Sequence, residues 1–260
     1  MAETLRITLL LFRTHLVRVW TSRRALACLL LGAIPPGVAA LVGRLRDTIP
    51  PESLATHLGW LLVLQVIVPL VTLVAGSAVV AEEVEDRTLS YLFSRPIPRP
   101  AVLLGRWLAT LVLVWTVLLL STGLMLLLAA RPGAPGAGVD VRVARPLLEA
   151  VALGAAVYSA LFAVAGVFLR HPMIAGLGYA FAIEGFLANL PGKNQALTIQ
   201  YHLRSWIAAH GSESWRQVEG FAETRFESGE TALRTLLLAL LVVLLLGAWR
   251  IARREFVLSA

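Results

Sequence analysis

Acidic side chains are concentrated at one place in this sequence, and their spacing raises the question of catalysis. Glu82, Glu83, Glu85 and Asp86 lie almost side by side, and Arg87 follows them directly. A glutamate that is positioned beside other ionisable groups can act as a general base and activate a water molecule. One interpretation of this cluster is therefore a hydrolytic site.

The histidines decide against that interpretation. The spacing Glu82-Glu83-x-x-x-Arg87 is similar to the first motif of the glutamate-dependent intramembrane proteases, which also require a Phe-x-x-x-His motif and a His-x-x-x-Asn or His-x-x-x-Asp motif. None of the nine phenylalanines is followed four positions later by histidine. The residues four positions after the five histidines are Val19, Leu61, Ala175, Trp206 and Ser214. The protease interpretation stays only as a remote alternative.

The sequence also lacks the usual motifs for phosphate binding and for metal binding. Gly192-Lys193 is followed by Asn194, so the sequence contains no phosphate-binding loop of the Gly-Lys-Ser or Gly-Lys-Thr type. No pair of histidines, cysteines or carboxylates has the spacing of metal ligands along a helix. We expect a protein that is not an enzyme and that holds no cofactor in this chain.

Composition indicates an integral membrane protein. Hydrophobic residues make up 58% of the 260 positions and charged residues 15%, against roughly 45–50% and 25% in soluble domains. The net charge of +7 is due almost wholly to arginine, because Lys193 is the only lysine. The arginines are scattered along apolar segments, which argues against nucleic-acid binding and favours contact with a lipid membrane.

Six apolar stretches are long enough to cross a bilayer, and they should be helices because every backbone amide in lipid must be satisfied locally. The sequence therefore predicts an all-α integral membrane fold in a single domain over residues 1–260. Pro35, Pro36 and Pro69 predict kinks in the first and second spans. The predicted spans cover residues 25–43, 58–81, 107–130, 146–169, 173–190 and 231–249.

Glu184 is the one acidic residue placed well inside a predicted span. A charge at that depth usually faces the interior of the bundle or an aqueous path. Two interpretations stay open: Glu184 is the structural partner of a polar group, such as Gln65, or it belongs to the translocation surface together with Gln65.

Two segments outside the spans are predicted to be amphipathic. In residues 1–24, apolar side chains recur at helical spacing between arginines, which predicts a helix lying in the membrane interface. In residues 191–230, aromatic residues alternate with charged ones, which predicts one or two helices on the outer interface, with an ordinary outer loop as the alternative. The distribution of arginines favours cytoplasmic placement of both termini.

The acidic cluster opens a further amphipathic segment, between spans two and three. Leu89, Leu92 and Phe93 fall on one helical face, Pro96 ends the helix, and Arg99 marks the return to the membrane. The apolar face must be buried against lipid, against the bundle, or in a groove on a soluble partner.

This segment resembles the signature of ABC type-2 exporter permeases. The resemblance implies a coupling segment, residues 82–100, that docks on an ATP-binding-cassette subunit. Arg87 stands where many members have glycine, and Arg106 where many have lysine. The matching run is Glu82-Glu83-x-Glu85-x-x-Thr88-Leu89-x-x-Leu92-x-x-x-Pro96-Ile97-x-Arg99, followed by Gly105-Arg106.

The resemblance implies the rest of the assembly as well. The chain would be a permease subunit in a bacterial-type inner membrane, paired with a second and identical permease copy. A separate ATPase subunit would bind ATP and Mg²⁺. The alternative is an ion-coupled secondary transporter or channel, but such proteins place several ionisable groups at the midplane, and this sequence offers only Glu184.

Overall fold

Helices are the regular elements throughout the part of the chain that the computed structural model describes: residues 12–45, 49–77, 79, 99–130, 138–187, 193–218 and 226–253. No strand occurs within those ranges. The all-α membrane fold predicted from the sequence is confirmed. In chain order the helices are α1 (12–20), α2 (Arg23–Gly32), α3 (Ile34–Leu45), α4 (Pro51–Gly76), α5 (Arg99–Ala129), α6 (Val141–Phe168), α7 (Pro172–Phe186), α8 (Ile199–His210) and α9 (Gly229–Arg253).

Five of the predicted spans are represented by helices that are long and apolar enough to cross a membrane. These are the α2–α3 pair, α4, α5, α6 and α9. The fifth predicted span corresponds to α7, which is one of the shorter apolar helices, and its predicted end at residues 188–190 lies outside the described ranges. The count of six full spans is therefore not confirmed.

The prolines mark the irregular places in the first two spans. The first span breaks at Ala33, so that Pro35 and Pro36 lie in the first turn of α3, where a missing N–H leaves no helical hydrogen bond unmade. In the second span, α4 adopts π-helical geometry over Leu58–Ile67, which ends two residues before Pro69. The wider turn of a π-helix is rare and occurs mostly as short bulges inside α-helices.

Helix α6 lies at the centre of the bundle. It contacts α4, α5, α7, α8 and α9. Of its apolar 18-residue stretch 72% is buried, against 17% for the corresponding stretch of α9. Small residues let its neighbours approach closely. A Cβ atom added at Gly76 of α4 would lie 3.0 Å from the carbonyl oxygen of Ser159 and 3.1 Å from the Cβ of Phe162.

The predicted outer segment contains α8 between two short 3₁₀ turns, Lys193–Leu197 and Glu213–Gln217. Helix α8 packs against α6 and α9 and buries most of its residues. Helix α8 is therefore packed into the bundle, whereas the sequence analysis predicted helices that rest on the outer interface.

Candidate functional site

Most of the predicted coupling residues lie outside the described ranges. Arg99 is the first residue of α5, and the docking role of the segment stays a prediction. The residues outside the description are Glu82, Glu83, Glu85, Arg87, Thr88, Leu89, Leu92, Phe93 and Pro96.

Glu184 lies at the centre of a buried polar site between α7 and α8. Its side chain is only 2% exposed, yet both of its carboxylate oxygens accept hydrogen bonds. The Tyr179 hydroxyl donates to Oε1 at 2.6 Å. The backbone N–H groups of Ile199 and Gln200 donate to Oε1 and Oε2, each at 3.0 Å.

The local geometry of α7 brings Tyr179 and Glu184 together. The helix is π-helical over Tyr179–Phe186. A π-helix pairs residues that are five positions apart, and this is the separation between the tyrosine and the glutamate. Regular α-helical geometry would turn the two side chains away from each other, because it brings residues three or four positions apart onto one face.

Glu184 also completes the N-terminus of α8. The hydroxyl of Thr198, the N-cap residue, accepts a hydrogen bond from the N–H of Tyr201 at 3.2 Å. The Glu184 carboxylate accepts from the first two N–H groups of the helix, which have no partner within it. A negative charge at this end of a helix is stabilised by the helix dipole.

Gln200 connects α8 to α4. Its side-chain amide donates a hydrogen bond of 2.7 Å to the backbone carbonyl of Leu64, inside the π-helical stretch. Gln200 and Leu64 are both fully buried. The bond therefore satisfies a backbone acceptor that has no access to water.

Arg204, one turn further along α8, contributes a buried positive charge. Its guanidinium carbon lies 4.5 Å from the ring centre of Trp60 on α4, and the residue is 2% exposed. Burial lowers the pKa of Arg204 to about 10, while the negative charge of Glu184 acts in the opposite direction. The guanidinium is therefore charged at neutral pH, and its contact with the Trp60 ring is a cation–π interaction.

Only part of this site follows from the sequence. The Tyr179 hydroxyl is the kind of partner that a buried carboxylate requires, but the proposed partner Gln65 is half-buried and makes no hydrogen bond to Glu184. Gln200 and Arg204 were missed, because their helix was expected at the membrane surface. The N-cap signal of Thr198 could have located the start of that helix. A role for Glu184 and Gln65 in translocation stays a prediction.

Polar contacts at the rim hold the outer segment onto the spans. The Ser214 hydroxyl donates to Glu52 at the start of α4 at 2.6 Å. The Trp206 indole N–H of α8 donates to Glu149 of α6 at 3.1 Å. Glu149 also pairs with Arg145 at 2.8 Å. The outer segment is thus joined to both α4 and α6.

At the other end of α4 there is a small basic cavity of about 90 Å³. Its lining includes His15 and Arg18 of α1, Arg24 of α2, and Ala75 and Val79 at the end of the second span. Burial lowers the pKa of His15 to about 4, with further contributions from the charges of Arg106 and Arg18. His15 is therefore neutral at physiological pH. A lowered histidine pKa makes the fold less stable as the pH falls from about 6.5 towards 4, since the unfolded chain then binds the proton more readily.

The comparison with protein families agrees with this architecture. A family model described as ABC-2 family transporter protein matches residues 47–256 of the 260-residue chain. The match runs from the start of α4 to the end of α9. No curated protein matches the chain.

Proposed function

Because the chain belongs to the ABC-2 transporter family, we propose that it is a permease subunit whose partner ATPase docks on the segment between α4 and α5. The chain is a multi-pass membrane protein of apolar helices. The observation that carries the proposal is the family match over all the helices from α4 onward. The absence of a phosphate-binding loop from the sequence supports a separate chain as the site of ATP hydrolysis.

The described residues on either side of the coupling segment support the proposed docking surface. Val79, at the end of the second span, and Leu103, near the start of α5, belong to the same buried apolar cluster. The described residues that flank this segment are therefore packed in one apolar cluster. A short amphipathic helix at such a place fits the mode in which a helix inserts its apolar face into a groove on a partner.

A second copy of the permease completes the proposed transporter. Tyr158 and Phe162 of the central helix α6 are 0% and 1% exposed, so side chains fill the middle of the bundle. A path for cargo is then formed more simply between two copies than within one, and two identical copies related by a twofold axis are the commonest arrangement. ATP-driven closure of the ATPase pair would shift the two halves and alternate access at their interface.

The test is co-purification of the ATPase subunit with a variant that carries Leu89→Asp and Leu92→Asp. Charges on the apolar face should abolish co-purification and ATP hydrolysis by the complex, because the face can no longer enter an apolar groove. The matched control adds the same charges at Ser90 and Ser94 of the same segment, and it should retain the ATPase.

Two results would contradict the proposal. Normal ATPase binding by the leucine variant, with equal membrane insertion, would exclude this segment as the docking surface. Transport driven by an ion gradient without any ATPase would favour the secondary transporter or channel instead.

A further inference from the structure

Pro69 interrupts the hydrogen bonding of α4 at a buried position, and a side chain from α8 lies at that interruption. We propose that Gln200 supplies the hydrogen bond that Pro69 cannot donate, and that this bond joins α8 to α4 so that the two move together during transport. The second half of the proposal rests on the proposed function, and the first half does not.

The register of α4 identifies the carbonyl that lacks a donor. The N–H of Val68 bonds to the carbonyl of Val63, five residues earlier. In the same register the next bond would run from residue 69 to Leu64, but proline has no N–H. Leu64 is 0% exposed, so its carbonyl cannot turn to water instead. A buried acceptor without a donor is costly, above all in a protein surrounded by lipid.

Gln200 meets this requirement directly, since its Nε2 donates to the Leu64 carbonyl at 2.7 Å. Its own backbone N–H is meanwhile held by Glu184 of α7. The residue is thus fixed on one side to the fifth predicted span and on the other to the second.

One further contact joins α8 to α4, and both helices also approach α6 at the same glycine. Arg204 lies over the ring of Trp60, one turn before Leu64. Leu203 and Val68 both approach Gly154 of α6, where an added Cβ would lie 3.0 Å from Leu203 and 3.4 Å from Val68. Helix α8 therefore meets α4 at Trp60 and Leu64, within the π-helical stretch.

The connection matters because of where α4 leads. Its C-terminal end continues into the segment that we propose as the ATPase dock. Movement imposed on that end would reach α8 through Leu64 and Gln200, and this makes Gln200 a positioning residue for transport.

A double-mutant cycle tests whether Gln200 replaces the missing N–H of Pro69, and it requires neither the ATPase nor a substrate. Gln200→Met keeps the length of the side chain and removes the donor, while Pro69→Ala restores the backbone N–H. In the native background, Gln200→Met should lower the midpoint of thermal unfolding of the purified full chain by about 2–4 °C. In the Pro69→Ala background the same change should have less than half that effect, because the Leu64 carbonyl then has a donor of its own.

Ser205→Ala is the matched control for the cycle. Its hydroxyl is also buried and donates to the Tyr201 carbonyl at 2.9 Å, within α8 itself. Its removal should have the same effect in both backgrounds. Equal effects of Gln200→Met in the two backgrounds would overturn the proposed replacement of the proline N–H.

Cysteine labelling tests whether α8 and α4 move together during transport. Ala209 is exposed near the end of α8, and Cys28 is the sole native cysteine, so an Ala209→Cys, Cys28→Ala chain carries one accessible thiol. It is reconstituted with its ATPase subunit and labelled with a membrane-impermeant maleimide, with and without ATP and vanadate. Labelling should depend on nucleotide when Gln200 is present, and Gln200→Met should remove that dependence. Ser205→Ala should keep it.

The outcomes separate this inference from the proposed function. Nucleotide-dependent labelling that persists in Gln200→Met would overturn the joint movement, and so would its absence from the chain with Gln200. ATPase co-sedimentation, measured in the same vesicles, reports on the docking proposal alone. Failure of the ATPase to co-sediment would count against the proposed function and leave the melting cycle standing.

Discussion

The Glu184 carboxylate is held by donors on two different elements, which makes its chemical form matter more than its size. Tyr179 belongs to the same helix, while the N–H groups of Ile199 and Gln200 begin the next one. One side chain of α7 therefore holds the N-terminus of α8.

We expect Glu184→Gln to destabilise the protein although the two side chains have nearly the same shape. An amide can offer only one acceptor oxygen, so either the Gln200 N–H or the pair of donors at Oε1 would face an NH₂ group. Leaving a buried donor unsatisfied costs about 1–3 kcal/mol of unfolding free energy. Thermal or denaturant unfolding of the purified chain in detergent measures the loss.

Glu230→Gln is the control for this change. Glu230 pairs with Arg234 at 3.2 Å, and the two side chains are 83% and 76% exposed. An exposed pair of this kind contributes little to stability, so no measurable change is expected. Equal stability of Glu184→Gln and the native chain would show that the carboxylate does not hold α8 in place.

Among the elements, α4 passes close to α6 at Gly76. The atoms facing an added Cβ include the Ser159 carbonyl oxygen and the Ala163 backbone nitrogen, at 3.0 and 3.4 Å. Backbone atoms of a central helix cannot rotate aside as a side chain can. The crossing therefore depends on glycine at this position.

Gly76→Ala should lower the free energy of unfolding by about 1–3 kcal/mol, because the two helices must move apart to admit the methyl group. The measurement is again unfolding in detergent. Gly123→Ala in α5 is the matched control, since nothing lies within 4 Å of its added Cβ. Alanine there should be neutral or stabilising by up to about 1 kcal/mol. If Gly76→Ala instead has the same effect as Gly123→Ala, the close approach of α4 to α6 does not require glycine at position 76.

The sequence predicted the elements better than their contacts. Long apolar runs predict membrane helices because lipid leaves the backbone no alternative. The kinks predicted at the prolines stay a prediction, although irregular turns precede Pro35 and Pro69. The burial of α8 was not predictable in this way. Its polar residues Gln200, Arg204 and Ser205 give it the composition of a surface helix. The partners of Gln200 and Arg204, Leu64 and Trp60 of α4, become visible only once the helices are packed.

At the scale of the whole molecule, large apolar surfaces are available to lipid or to a second copy. Within one chain, only 17% of the apolar 18-residue stretch of α9 is buried, and only 33% of the corresponding stretch of the α2–α3 pair. The central α6, by contrast, is covered on most sides. The chain is thus built with its filled centre at α6 and its open faces on the first and last spans.

The orientation of the chain in the membrane can be measured with fused reporters. The arginine distribution favours both termini in the cytoplasm, so a reporter fused after Ala260 should be active only there. The same reporter inserted near Gly136, between α5 and α6, should be active only on the opposite side. Assays of paired cytoplasmic and extracytoplasmic reporters in intact cells measure both sites. Activity on the same side at both sites would require a different number of crossings between them.

The bond between Gln200 and the Leu64 carbonyl has a consequence for sequence variation. Wherever a relative has proline at the position of Pro69, we expect a hydrogen-bond donor at the position of Gln200. Where another residue replaces that proline, the backbone donates for itself, and position 200 becomes free to drift to an apolar side chain. The two positions lie 131 residues apart in the chain. A substitution at position 69 should nevertheless relax selection on position 200.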